Sequence, residues 1–346
     1  MPPVTGRESY FDNVKFVVGC LVIIGHLGHE ISGPPQTYVA VEVLFASFRM
    51  PLFVFLAGHF SRGFLRGKDR AARLFTKVMA PYLLFELAYS ALEAVLDGKA
   101  LVWDPMVPFD HMWFLAALLL WRAAAPLWLR FRHPVALAVF VSLVSGMADL
   151  GLTVIVQTLA YLPFFVAGLV FDRRLLRWLR YPAARAVSLA GLAFLTLVFY
   201  VIVPSRFAGP GVFHEVWTNG YGPAGWSAPA GMAVRLAALA TGTVVAAMVL
   251  ALIPGRRSWI SGLGSRSLYM YVLHYAFVML AVRFGWYGVL PSGIPGALLL
   301  VAVAVALGAA LCSRPSYMIF RWFMEPPLAW TLRYPTAPKP SQRSTF

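Results

Sequence analysis

From residue 12 to residue 320, apolar runs follow one another with short polar breaks between them. A bilayer core is about 30 Å thick, so a helix that crosses it needs roughly 17–25 mostly apolar residues. Ten segments are candidates: 12–32, 40–61, 74–96, 112–129, 134–150, 153–171, 184–204, 230–254, 266–284 and 296–320. The fifth is short and is interrupted by Ser142, Ser145 and Gly146. The expected fold is therefore all-α, a polytopic integral membrane protein of about ten transmembrane helices. Only 12% of the residues are charged, against about 25% in soluble domains. That shortfall runs along the whole chain, which predicts one membrane domain over 8–320. The tail 321–346 opens with aromatic residues suited to the interface and ends polar, so partial disorder is expected there.

The charge pattern sets orientation. Of the 29 Lys and Arg residues, 24 fall in alternate connections: the N-terminus, 62–77, 122–132, 173–185, 256–266 and the C-terminal region. This is the positive-inside pattern, which predicts cytoplasmic basic loops, both termini cytoplasmic and a multi-pass protein of the plasma membrane. The same placement argues against a nucleic-acid partner for the net charge of +15, because the cations are distributed as topology requires. The first apolar run is long enough to span and no small-residue cleavage site follows it, so no cleavable leader is expected. Cys20 and Cys312 fall inside predicted spans and are expected to be packing residues, not a disulfide. No internal repeat or linker divides the chain. In the long connection 204–229, glycines and prolines are expected to preclude a regular helix, while its aromatic residues suit the membrane rim.

Ionisable residues within spans are costly and mark candidate functional positions. At 100° per residue, Asp12, Lys15, Gly19, His26 and Glu30 share one stripe of the first span. Lys15 and His26 lie about 16 Å apart along that stripe, a cation near the cytoplasmic surface and an imidazole in the outer half. Glu30, four residues on, is placed to orient the imidazole of His26; His29 and Glu30 equally suit the wet end of a helix. A zinc site is not expected, since no Cys or third His lies nearby in sequence.

In the second span, Arg49 needs a carboxylate or a bound anion, and Pro51 frees a carbonyl that could line a cavity. His59 is expected to be interfacial. In the basic loop 62–77, Arg70 and Arg73 lie one helical turn apart, which suits clamping of phosphate oxygens as well as simple fixing of topology. Trp113, in HMWFL (111–115), suits an interface anchor. His274 is buried in the ninth span, with Tyr271 and Tyr275 beside it, and suits an interhelical hydrogen bond.

Together, YFDNVKF with VIIGH (10–26), FRMPLFVFLAGHF (48–60), RAAR (70–73), HMWFL (111–115) and SRSLYMYVLHYAF (265–277) resemble the acyltransferase 3 family, in particular its fucose 4-O-acetylase-like branch. The resemblance covers about residues 8–320. Its most specific element is a basic residue ten positions before a histidine, here Lys15 and His26, where many relatives carry arginine first. It implies a membrane O-acyltransferase that moves an acyl group, commonly acetyl, from acyl-CoA as co-substrate to a hydroxyl of a sugar or glycoconjugate. No tightly bound cofactor and no metal are implied. The implied catalytic set is His26, Glu30 and Lys15, with Arg70 and Arg73 on the donor. Asp12, Arg49, Trp113 and His274 are substrate or supporting positions. The competing expectation is a transporter or flippase for a glycoconjugate, which would use the same polar residues as a pathway.

Overall fold

The computed structural model describes residues 6–28, 36–66, 69–148, 151–202 and 211–331. Every regular element among them is helical. Helices of eight residues or more are α1 (Gly6–Gly28), α2 (Gln36–Arg66), α3 (Arg70–Asp97), α4 (Trp113–Trp128), α5 (Pro134–Ser145), α6 (Thr153–Ala160) and α7 (Leu162–Val170). They continue with α8 (Pro182–Ile202), α9 (Gly211–Thr218), α10 (Ala228–Leu252), α11 (Ser267–Arg283), α12 (Gly293–Leu311) and α13 (Arg314–Met324). Six of these, α1, α2, α3, α8, α10 and α12, are long and apolar enough to cross a membrane. α6 and α7 qualify together as one span bent by 41°. The break follows from Pro163, which has no N–H to continue the helical ladder. Three of the ten expected spans form shorter helices: α4, α5 and α11, of 16, 12 and 17 residues.

Proline also shapes two of the long helices. Pro81 cannot donate to the carbonyl of Lys77, and α3 opens into a π-helical turn over Phe75–Met79 just before it. Pro51 leaves the Ser47 carbonyl without its helical donor, and that oxygen lies against Gly242 of α10.

The centre of the bundle is α1, which packs against α2, α11, α12 and the short helix Trp259–Gly264. Of the apolar windows of α1 and α2, 72% is buried, against 6% for α8, so α8 is the helix most open to lipid. α2 lies along α7 so closely that a Cβ on Gly58 would collide with the Phe165 carbonyl, and one on Gly168 with that of Phe55. Hydrocarbon gives helices no hydrophobic reason to associate, so close backbone packing at small residues supplies much of the attraction. Cys20 and Cys312 are buried free thiols, as expected.

One expectation about a connection needs correction. The connection 204–229 does contain a helix, α9, whose residues after Gly211 include neither glycine nor proline. Its end is held by Arg235 of α10, a fully buried guanidinium that donates to the carbonyls of Val216, Asn219 and Ser142 and lies 4.8 Å from the Tyr221 ring. Residue 320 lies within α13, whose last residue, Met324, is buried.

The basic connections meet at one end of the bundle. Asn13 donates to the carbonyls of Pro254 and Arg256 and accepts from Ser261. Arg62 donates to the Leu169 carbonyl, Arg122 to Ser61 at 3.2 Å, and Arg266 to the Cys312 carbonyl at 2.6 Å. Lys77 pairs with Glu325 at 3.3 Å.

Candidate functional site

At the far end of α1 from those cations, three histidines from three helical segments converge. The ring centres of His26 and His274 are 5.1 Å apart, those of His111 and His274 5.2 Å, and those of His26 and His111 6.4 Å. α1 presents His26, α11 presents His274, and a 3₁₀ turn at Asp110–Met112 delivers His111 into the bundle. Tyr275 stacks on His111, with centres 4.8 Å apart, and meets His26 edge-on at 5.3 Å.

Hydrogen bonding fixes the proton positions on two of the rings. His274 Nδ1 faces the Tyr271 carbonyl at 2.8 Å, and His111 Nε2 faces that of Val272 at 3.3 Å. A carbonyl only accepts, so those nitrogens carry the hydrogens and the opposite nitrogens carry lone pairs. His274 Nε2 and His111 Nδ1 are buried and receive no hydrogen bond from a described residue. Buried acceptors of this kind are costly unless something donates to them. A hydroxyl-bearing molecule or a protonated His26 would supply that donor. Among the described residues, no group of three or more His, Cys, Asp or Glu side chains is placed to hold a metal ion.

His26 lines a cavity of about 550 Å³. Arg49, Asp110 and Trp113 line it too, and Gln157 and Asn219 add amide groups. One wall is an aromatic ladder: Trp113 stacks on Tyr161 at 5.3 Å, and Tyr161 on Trp217 at 4.6 Å. Trp113 is therefore part of a cavity wall, whereas its sequence position alone suited an interface anchor. Arg49 has the carboxylate partner its burial demanded, Glu42, seven residues earlier on α2.

A second, narrower cavity of about 240 Å³ approaches from the basic end. Lys15, Lys77 and Arg122 line it, and its apolar side includes Phe53, Phe114 and Val272. A partition of aromatic rings lies between it and the histidines. Phe53 packs on Tyr271 at 5.3 Å and on Phe114 at 4.8 Å, while Tyr271 reaches His111 at 5.7 Å and donates its hydroxyl hydrogen to the His111 carbonyl. The stripe of α1 is thus divided between two cavities, with Lys15 in the narrow one and His26 in the large one.

The remaining predicted residues fall around this frame. Asp12 pairs with Lys15 at 2.5 Å, so it steadies that cation, which also lies 4.7 Å from the Phe60 ring. Arg73 is turned inward, donating to the Phe64 carbonyl, and Phe64 lies between Arg73 and Arg122 at 4.8 Å from each. Arg70 is exposed on the same helical turn. Glu30, with His29, lies outside the described residues. His59 is not interfacial: it is 2% exposed, stacks on Phe11 at 4.5 Å and accepts from Arg173.

Sequence reasoning missed the part of His111, Arg122, Tyr161 and Trp217. His111 reads only as the outer start of the fourth span, and the others come from segments far apart in sequence. The nearest sequence signal was the cost of Arg122 within the apolar run 112–129.

A family model described as an acyltransferase domain matches residues 8–313. No curated protein and no solved structure matches the chain.

Proposed function

The chain belongs to this acyltransferase family, and on that premise we propose that it transfers an acetyl group from acetyl-CoA to a hydroxyl of a carbohydrate-bearing acceptor, with His26 as general base. The observation that carries the reading is the pair of cavities separated by the aromatic partition, one with a basic lining and one lined by His26. Lys15, Lys77 and Arg122, with Arg70 and Arg73 nearby, suit the phosphates of the donor, and the apolar remainder of the narrow cavity suits its pantetheine arm. The aromatic ladder of the large cavity gives flat apolar faces for a sugar ring, with Arg49, Asp110, Gln157 and Asn219 as hydrogen-bonding groups around it.

In the reaction, His26 takes the acceptor's hydroxyl proton as that oxygen attacks the thioester carbonyl. The carbon–sulfur bond breaks, the thiolate of coenzyme A leaves, and the proton held on His26 is returned to it. Ester and free thiol are the products, and charge balances. The lone pairs of His274 and His111 are available to steady a proton on His26, and the Phe53–Tyr271–Phe114 partition must part or flex to let the thioester meet the acceptor.

The decisive experiment uses protein in nanodiscs with labelled acetyl-CoA and candidate glycoconjugates. Acetyl-CoA is expected to bind, more weakly as salt rises because the phosphate contacts are partly solvated, and acetylated acceptor is expected by mass spectrometry. Transport of a glycoconjugate across vesicles without acetyl-CoA binding would favour the transporter instead. Arg73→Ala and Arg122→Ala are each expected to raise the apparent KM for acetyl-CoA about ten- to hundredfold with kcat little changed, as loss of one charge-assisted hydrogen bond implies. A fall in kcat at unchanged KM would remove both from the donor site.

The same proposal includes ten spans, with the basic end and both termini in the cytoplasm of a plasma-membrane protein. Reporter fusions at Arg130, Arg177 and Arg257 should read as cytoplasmic and one at Lys99 as external. An external reading within 62–77 would invert the donor side.

A further inference from the structure

Beside the start of α1 lies a third cavity, of about 510 Å³, that the acyl-transfer reading does not use. Tyr10 and Phe11 form one wall, and Arg173, Arg174, Arg177 and Arg180 form the other. Among the described residues Asp172 is the only carboxylate lining it, and its Oδ1 already accepts from the Arg174 backbone N–H at 2.8 Å. Four guanidinium groups therefore share one cavity with a single, partly engaged carboxylate.

Two of these cations are held in place. Arg173 lies 5.5 Å from the Phe11 ring and uses Nε for His59 at 3.1 Å, which leaves its forked terminal nitrogens as donors. Arg180 lies 5.2 Å from the Tyr10 ring. Prepositioned guanidinium forks suit phosphate oxygens, because little side-chain freedom is lost on binding.

The flank of the cavity identifies what brings the phosphate. Interleaved with the arginines on the same segment are Leu175, Trp178 and Tyr181, which are 53%, 60% and 54% exposed. Apolar and aromatic side chains left bare beside a row of cations are the pattern of a segment lying at the headgroup level of a membrane. We propose that this cavity binds the phosphate headgroup of an anionic phospholipid, whose acyl chains lie along Leu175, Trp178 and Tyr181. The nucleotide phosphates of acetyl-CoA share the charge chemistry but bring no long chains to cover that apolar flank. The Phe11–Phe60 contact at 5.9 Å also stands between this cavity and Phe60 of the narrow one. Bound there, the lipid would tie the segment 172–180 to the start of α1, independently of any acyl transfer.

The test is native mass spectrometry of the full chain released from nanodiscs of phosphatidylcholine with increasing phosphatidylglycerol. The wild type should retain phosphatidylglycerol, and apparent affinity should fall about fivefold for each cavity arginine removed, the usual worth of a basic residue at an anionic surface. Arg177→Gln is the informative variant, because its recorded contact is with the ring of its own neighbour Trp178, so folding should survive. Arg173→Gln combined with Arg180→Gln should lose more. Arg132→Gln, exposed on a different basic connection, should bind as the wild type does. Equal retention by Arg177→Gln, or an equal loss in Arg132→Gln, would overturn the site. Displacement by adenosine 3′,5′-bisphosphate at lower concentration than phosphatidylglycerol would overturn the lipid and give the cavity to a nucleotide. Binding is read without turnover, so failure of the acetyl-transfer proposal leaves this measurement intact.

Discussion

His26→Ala is expected to lower kcat by about 10²–10⁴ while leaving acetyl-CoA binding nearly intact, the usual range for a positioned general base. The separation of effects follows from the geometry. His26 lines the large cavity, whereas the cations suited to the donor's phosphates line the narrow one, about 16 Å away along α1. Nothing in the substitution touches Lys15, Lys77 or Arg122. The imidazole ring has His274, His111 and Tyr275 within 6.4 Å, so its removal also leaves a void among buried rings. For that reason the measurement needs matched protein levels and a thermal-melting control, and His26→Gln serves as the variant that fills the space without a titratable ring. A well-folded His26→Ala or His26→Gln protein with near-normal turnover would return the imidazole to a packing role and remove the base from the proposed reaction.

The largest expected effect on folding is at Arg235. Arg235→Met keeps the length and the apolar stem of the side chain but removes every donor. The carbonyls of Val216 and Asn219 then lose the guanidinium, and that of Ser142 keeps only the Ser145 hydroxyl, in a region where the guanidinium itself is fully buried. Each stranded buried acceptor costs about 1–3 kcal/mol, so a loss of roughly 2 kcal/mol or more is expected in melting experiments at fixed lipid composition. Arg235→Lys should recover only part of it, because one ammonium cannot span three carbonyls on separate segments. The functional consequence is specific: α9 and the residues after it supply His214, Trp217, Thr218 and Asn219 to the large cavity. Acceptor KM should therefore rise in whatever protein remains folded, with the donor KM unchanged. A variant that melts like the wild type would show that α9 is held by its apolar contacts alone.

Much of the candidate site was legible in the sequence because ionisable side chains in an apolar run are conspicuous. Lys15, His26, Arg49 and His274 stand out as charges or imidazoles placed where hydrocarbon penalises them. The need of Arg49 for a carboxylate also follows from that penalty, and Glu42 meets it. The carbonyl freed by Pro51 was foreseen, but its facing α10 was not, since a proline reports which bond is missing and not what lies opposite. His59 departs from its expected interfacial position for a related reason. A histidine near a span end is cheap to solvate, and only the stacking of Phe11 and the hydrogen bond from Arg173 take it out of water.

The all-helical membrane character, the segregation of cations into alternate connections and the helical stripe of α1 are written in the sequence, because each depends on hydropathy, charge and a 3.6-residue period within one segment. Tertiary structure alone decided that the stripe serves two cavities, that His111 joins His26 and His274, that Trp113, Tyr161 and Trp217 stack into one wall, and that a buried arginine pins α9. Those arrangements depend on how close helices approach and how they are rotated about their axes. Gly58 and Gly168 set one such approach by letting two backbones touch, and no periodicity within a single segment records which backbone will arrive there.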